Sequence, residues 1–197
     1  IKDSFEVAHA LYNLGDLAVA KKKYKEAITY FEQSLAAYLE MHNHGFFDPL
    51  ERNGFISNKL AQCWKFMEDP GRAMKLIRVS LIATDASKGV NEYDKAEYFV
   101  GAGDIFNRLN DPDSALIMLR KGLKIATTIN HREFKRDAFE QMAISFSQKK
   151  LFDSAYIYQN RFSLLKDSID NEISRQEIYQ RDADLQKQHL RALFMQA

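Results

Sequence analysis

Residues 11–35 read LYNLGDLAVAKKKYKEAITYFEQSL, and the placing of glycine, alanine and bulky apolar side chains in this stretch decides the fold. Leu11 and Leu14 lie three apart, Phe31 and Leu35 four apart, and Ala27 stands four before Phe31. That is the 3.6-residue period of a helix, not the alternation of a strand. Gly15 and Ala27 fall in two such runs separated by Lys21–Lys23, so the stretch reads as two helices and a short basic turn.

The pattern recurs along the chain. DPGRAMKLIRVSL (69–81), DPDSALIMLRKGL (111–123) and LFDSAYIYQNRFS (151–163) align with KYKEAITYFEQSL (23–35) on Ala73, Ala115, Ala155 and Ala27, which are 46, 42 and 40 residues apart along the chain. Twelve residues before each alanine stands another small residue: Gly15, Ala61, Gly103 and Ala143. Two columns of small side chains let paired helices approach closely, because a larger group would hold their axes apart. Around them Leu11 and Leu14, Leu60 and Trp64, Phe99 and Phe106, and Phe139, Met142 and Phe146 supply the apolar faces of the first helices. Phe31, Ile77 and Leu119 do so on the second helices.

Turn chemistry gives independent support. Asp69-Pro70 and Asp111-Pro112 sit at equivalent places. An aspartate carboxylate accepts from the free amides of a helix start, and proline suits the first helical position, where its missing N–H is not needed. Lys23-Tyr24 and Leu151-Phe152 lack that cap and predict less sharply defined turns. First helices are expected over 5–20, 50–67, 91–109 and 131–149, and second helices over 24–42, 70–87, 112–129 and 152–166. A charged helix is expected from Ser168 toward Ala197. The domain reading is a repeat array over 5–166 (hairpins 5–45, 50–88, 91–130 and 131–166) and a capping or connecting helix over 167–197.

Composition agrees. In 197 residues there are only 3 Pro and 8 Gly, few punctuators for a sandwich of short strands. Formal net charge is +1, without the basic balance or stripe of a nucleic-acid binder. Cys63 is alone, so no intramolecular disulfide and no cysteine-based zinc site can form. No run of about 18 apolar residues is present. The chain starts at Ile1 and stops without a helix-stop signal, and it reads as a fragment of a longer protein.

Leu11, Leu14, Gly15, Tyr24, Ala27, Phe31 and Leu35 fall on the signature positions of the tetratricopeptide repeat, which this stretch closely resembles. Leu60, Ala61, Ala73 and Leu81, then Phe99, Gly103, Ala115 and Leu123, continue the match. In the fourth hairpin Gln159, Phe162 and Ser163 depart from it, which predicts that its outer neighbour is not an ordinary repeat. The resemblance implies an all-α, right-handed α-α superhelix of four hairpins plus the long terminal helix. It implies a protein-binding scaffold, not an enzyme, with no cofactor, no metal and no direct nucleic-acid contact.

The family's concave groove is lined by first-helix residues. By residue matching these are His9, Tyr12 and Asp16; Phe55, Asn58, Gln62 and Lys65; Glu97, Val100, Asp104, Asn107 and Arg108; and Glu140, Gln141 and Ser147. Exposed Tyr12 and Phe55 are the expected apolar anchors for a protein or peptide ligand. Tyr12 and Asp16 stand where one version of the groove carries a carboxylate clamp, so ligands of that kind are not expected.

Leu165, Lys166, Asp167 and Ser168, followed by mixed charge, resemble the end of the repeat region in bacterial membrane-spanning regulators. That implies a sensory role on the periplasmic side of the membrane, in preference to the cytoplasm, with an anchor just after the C-terminus. The alternative is a free-standing adaptor. Ile178 and Leu185, seven apart, are compatible with a homodimer, although Arg181 and Gln188 occupy the alternate seam positions. His42, His44 and Asp48 are the only His-rich spot and read as a loop. His131 and Glu133 read as a solvent-facing first turn, and Cys63 beside Trp64 as a buried inert thiol.

Overall fold

A computed structural model of the chain describes residues 2–42, 49–86 and 89–196. Among them there are eight helices: α1 Lys2–Ala20, α2 Tyr24–His42, α3 Pro49–Phe66, α4 Pro70–Ala86, α5 Glu92–Arg108, α6 Pro112–Thr128, α7 Arg132–Gln148 and α8 Phe152–Gln196. The loop read over His42–Asp48 lies mostly outside the described residues. Each helix packs on its neighbour in the chain, and α5 also touches α3 and α7. This is a stack of four antiparallel hairpins.

The small-residue columns set the separation within each hairpin. Gly15, Ala61, Gly103 and Ala143 are all buried, as are Ala27, Ala73 and Ala115; Ala155 is half-buried. A β-carbon on Gly103 would stand 2.4 Å from Cγ of Leu119, so only glycine lets α5 and α6 come this close. Two hairpins add the same side-chain bridge: Ser34 donates to the carbonyl of Ala8 at 2.8 Å, and Ser80 to that of Gly54 at 2.7 Å.

Contacts between hairpins complete the core. Ile28 and Phe31 of α2 pack with Ile56, Leu60 and Cys63 of α3. Met74 and Ile77 of α4 pack with Ala102 and Ile105 of α5, and Leu116 and Leu119 of α6 with Ala138 and Met142 of α7. A helix whose apolar face is too wide to bury within its own hairpin gains from stacking, which is what makes the array cooperative. Leu14, read as core, is exposed instead, since no hairpin among the described residues packs before α1. Trp64 is half-buried, its ring covered on one side by the guanidinium of Arg72 at 4.4 Å.

The turns inside the hairpins are alike, contrary to the expectation of looser first and fourth turns. Lys22, Glu68, Asn110 and Lys150, each five residues before the aligned alanine, have φ of 58°, 60°, 56° and 59°. In every one the following amide bonds to the carbonyl five residues back, as Lys23 does to Ala18 at 2.9 Å and Leu151 to Phe146 at 2.9 Å. This left-handed closure satisfies the last carbonyls of the first helix whatever the side chain. The aspartate caps form as expected: Asp69 accepts from the amide of Arg72 at 2.9 Å and Asp111 from that of Ser114 at 3.1 Å.

The separate terminal helix expected from Ser168 is instead continuous with the second helix of the fourth hairpin. α8 runs 45 residues, about 68 Å at 1.5 Å per residue. Leu165–Ser168 contains no proline or glycine, and Asp and Ser inside a helix cost only about 0.7 kcal/mol or less each, too little to break it. Among the described residues Ile169 is the last buried one of α8, and Arg132 of α7 holds that level through Ser168 and Glu172. From Asp170 to Lys187 every side chain is exposed.

Candidate functional site

Where the first helices α3, α5 and α7 run side by side, a cavity of about 320 Å³ opens. Seven of the sequence-matched groove residues line it: Gln62, Lys65, Glu97, Val100, Asp104, Glu140 and Gln141. Gly101, Phe134 and Asp137 complete the wall. Asp137 stands six residues before Ala143, as Glu97, Phe55 and His9 do before Gly103, Ala61 and Gly15, so the repeat column carried the signal for it. Phe134 had no such signal. It sits in the first turn of α7, where its ring packs on His131 at 4.0 Å and Tyr93 at 4.9 Å. His131, read as solvent-facing, is half-buried and accepts from the amide of Phe134 at 3.3 Å.

The charges in the wall are mostly matched to one another across hairpins. Glu97 accepts from Gln62 at 2.7 Å and pairs with Lys59 at 3.4 Å. Asp104 pairs with Lys65 at 2.8 Å and with Arg108 at 3.0 Å. Arg136 pairs with Asp137 at 2.6 Å. Burial alone would pull the Lys59 ammonium down, but Glu97 and Asp16 outweigh it and the group stays charged above its usual range. Glu140 is different. Burial first, then the neighbouring Asp137, raise its carboxyl above the usual range, and among the described residues it has no hydrogen-bonded or ion-paired partner.

The remaining matched residues are divided among other environments. Tyr12 and Phe55, expected as exposed anchors, are half-buried and stack on each other with ring centres 5.2 Å apart. Burial, and then Asp16, hold the Tyr12 phenol far above its ordinary range, so it is a neutral donor to that carboxylate. His9 is exposed and stacks on Phe5. Asn107 is buried: it donates to the carbonyl of Gln141 at 2.9 Å and accepts from Ser145 at 2.7 Å, binding α5 to α7 instead of facing a ligand. Asn58 is fully buried with no partner for either amide atom among the described residues. Ser147 lines a different cavity, between α7 and α8.

Cys63 is buried, and burial pushes its thiol up to about 11, leaving it protonated and unreactive at neutral pH. Among the described residues no three His, Cys, Asp or Glu side chains converge as a metal site would require. No helix there is long and apolar enough to cross a membrane.

Comparison with known proteins bears on the same hairpins. Residues 8–40 match the family model described as Tetratricopeptide repeat. Solved structures that match include one titled "Crystal structure of MamA protein", with TM-score 0.45, 12% identity, and coverage of 84% of this chain and 95% of that one. No curated protein matches. The match spans α1 and α2, and the later hairpins repeat their small-residue columns and left-handed turns. Residues 8–40, the first hairpin, match a tetratricopeptide repeat, and the described residues form an all-helical array of four hairpins.

Proposed function

We propose that the cavity across α3, α5 and α7 binds an extended segment of a partner protein that carries a lysine or arginine. The single observation that supports this most is Glu140, a half-buried carboxylate that lines the cavity with no hydrogen-bonded or ion-paired partner among the described residues; Arg136 and Lys166 only partly offset the effect of burial and of Asp137 on it. A cationic side chain entering there would relieve the repulsion between Glu140 and Asp137 and replace lost hydration with a charge-assisted hydrogen bond. Phe134 and Val100 supply apolar wall for the stem of such a side chain.

In the same reading the chain is the sensory or interaction region of a larger bacterial regulator, held on the periplasmic side of a membrane. α8 supports a connecting role, because an unbroken helix transmits a change at its anchored end to its far end without a hinge. The reading frame beyond Ala197 tests this: an apolar run of about 20 residues fits an anchored regulator, and a stop codon sinks it in favour of a free-standing adaptor.

The binding claim is tested with a peptide array in which each basic position is also presented as glutamine. Binding is expected to track the basic residue, to fall with added salt and to weaken about tenfold in Glu140→Gln. Equal binding of basic and neutral peptides would overturn it.

A further inference from the structure

Gly101 stands in the middle of α5, where glycine weakens a helix relative to alanine, and the packing around it does not ask for glycine. Gly15, Gly54, Gly103 and Gly122 each face a neighbour that a β-carbon would meet within 2.8 Å. A β-carbon on Gly101 would meet its nearest neighbours, Oδ1 of Asn58 and Cδ1 of Ile77, at 3.7 and 3.9 Å, which is ordinary contact. Yet this glycine, which the fold does not need, lines the cavity across α3, α5 and α7.

Behind it lies Asn58 of α3. Its side chain is fully buried, and neither the nitrogen nor the oxygen of its carboxamide has a hydrogen-bond partner among the described residues. A buried amide left unpaired costs stability, so it calls for a partner in some state of the protein. Gln62, one helical turn further along α3, is part of the cavity wall, and Asn58 continues that face of the helix behind Gly101. A steric gap and an unsatisfied amide thus coincide at one point of the wall. A polar ligand group seated against Gly101 accounts for both.

We infer that the bound segment lays its main chain against Gly101 and that one of its peptide units exchanges hydrogen bonds with the carboxamide of Asn58. This rests on the reading that the cavity binds an extended segment. A carboxamide offers a carbonyl acceptor and N–H donors, the same groups that a peptide unit presents, so the two can pair twice. Asn58 reaches the ligand by turning about its side-chain torsions past Gly101, where no side chain stands in the way. Pairing removes a cost that the free chain carries, and it adds affinity whatever the side chains of the ligand. Glu140 then selects the basic residue, while Asn58 fixes where the main chain lies.

Calorimetric titration of the whole chain tests this, using the tightest basic peptide of the array and versions of it N-methylated at one main-chain amide each. One N-methyl position is expected to weaken binding to the wild type about tenfold. Gly101→Ala fills the gap and Asn58→Leu removes the amide, and each should bind the unmodified peptide about tenfold more weakly. Their thermal midpoints should equal or exceed that of the wild type, which a damaged fold would not give. In both variants the sensitive N-methyl position should lose its effect, because the contact it reports is already gone. Gly101→Ala keeps the test decisive should Asn58→Leu lose stability. Variants that bind like the wild type overturn the inference, as do N-methyl losses of one size in all three chains or no sensitive position at all. Failure of the charge reading looks different: lysine and glutamine peptides then bind equally while the N-methyl pattern stands. An array without any binder overturns both.

Discussion

The ring of Phe31 stands so close over Gly15 that a β-carbon there would lie 2.5 Å from its Cε1. Phe31 is fully buried and its ring has no free space to swing into. Gly15→Ala thus sets two effects against each other: better helix propensity, worth about 1 kcal/mol, and overpacking, which costs about 1–3 kcal/mol. Overpacking prevails, and the variant should lose up to about 2 kcal/mol in urea denaturation. Gly71→Ala is the control. Its nearest neighbour is Oδ1 of Asp69 at 3.6 Å, so propensity acts alone and stability should rise by up to about 1 kcal/mol. A Gly15→Ala midpoint raised as far as that of Gly71→Ala would mean that α1 and α2 can separate without loss.

The left-handed turns supply a second prediction. Lys22 and Lys150 occupy a conformation that costs a side-chain-bearing residue about 1–2 kcal/mol relative to glycine. Glycine forfeits part of that through its larger unfolded-state entropy, roughly 0.5–1 kcal/mol. Lys22→Gly and Lys150→Gly should each raise stability by about 0.5–1 kcal/mol, additively, since the two turns lie in hairpins that do not touch. Thermal melts in which either variant is less stable would show that the lysine side chain holds the turn.

These turns also mark where sequence reading succeeds and where it stops. The hairpins were legible because sterics act on residue identity: only a small residue fits opposite Phe31 or Leu119, so Gly15 and Gly103 had to recur. The Asp-Pro caps were legible for the same local reason. Backbone geometry common to Lys22, Glu68, Asn110 and Lys150 was not, since the closing hydrogen bonds use main-chain atoms that every residue has. Continuity of α8 through Ser168 was missed because Asp167 and Ser168 read as a helix break, although without proline or glycine their small cost leaves the outcome to the packing on either side. In the cavity the repeat columns found Gln62, Lys65, Glu97 and Asp104, but the inward turn of Asn107 depends on Ser145 and Gln141, about forty residues away.

Asn107 and Asn58, both buried amides on first helices, should respond in opposite senses to removal. Asn107 joins α5 to α7 through Gln141, Ser145 and Gln148. Asn107→Ala leaves Gln141 and Ser145 with fewer partners and should cost about 1–3 kcal/mol. Asn58 has no bond to lose. Asn58→Leu removes an unpaired buried amide at similar volume and should gain about 1 kcal/mol, read from the guanidinium midpoint. A loss of stability in Asn58→Leu would show that an internal water satisfies the amide.

Glu140 gives the pH dependence. Burial and the adjacent Asp137 hold its carboxyl above the ordinary range, so the folded chain binds this proton more tightly than the unfolded chain. Stability therefore falls as pH rises from the ordinary glutamate value through the raised one, and the penalty is complete above that window. Glu140→Gln removes the charge and should be more stable than the wild type at pH 7, with the advantage gone at about pH 3, where both side chains are neutral. Solvent screens a half-exposed group, which limits the difference to about a few tenths of a kcal/mol. Paired denaturation curves at the two pH values measure it. An advantage that persists unchanged at low pH would trace to packing, and would remove the strain that a basic ligand is expected to relieve.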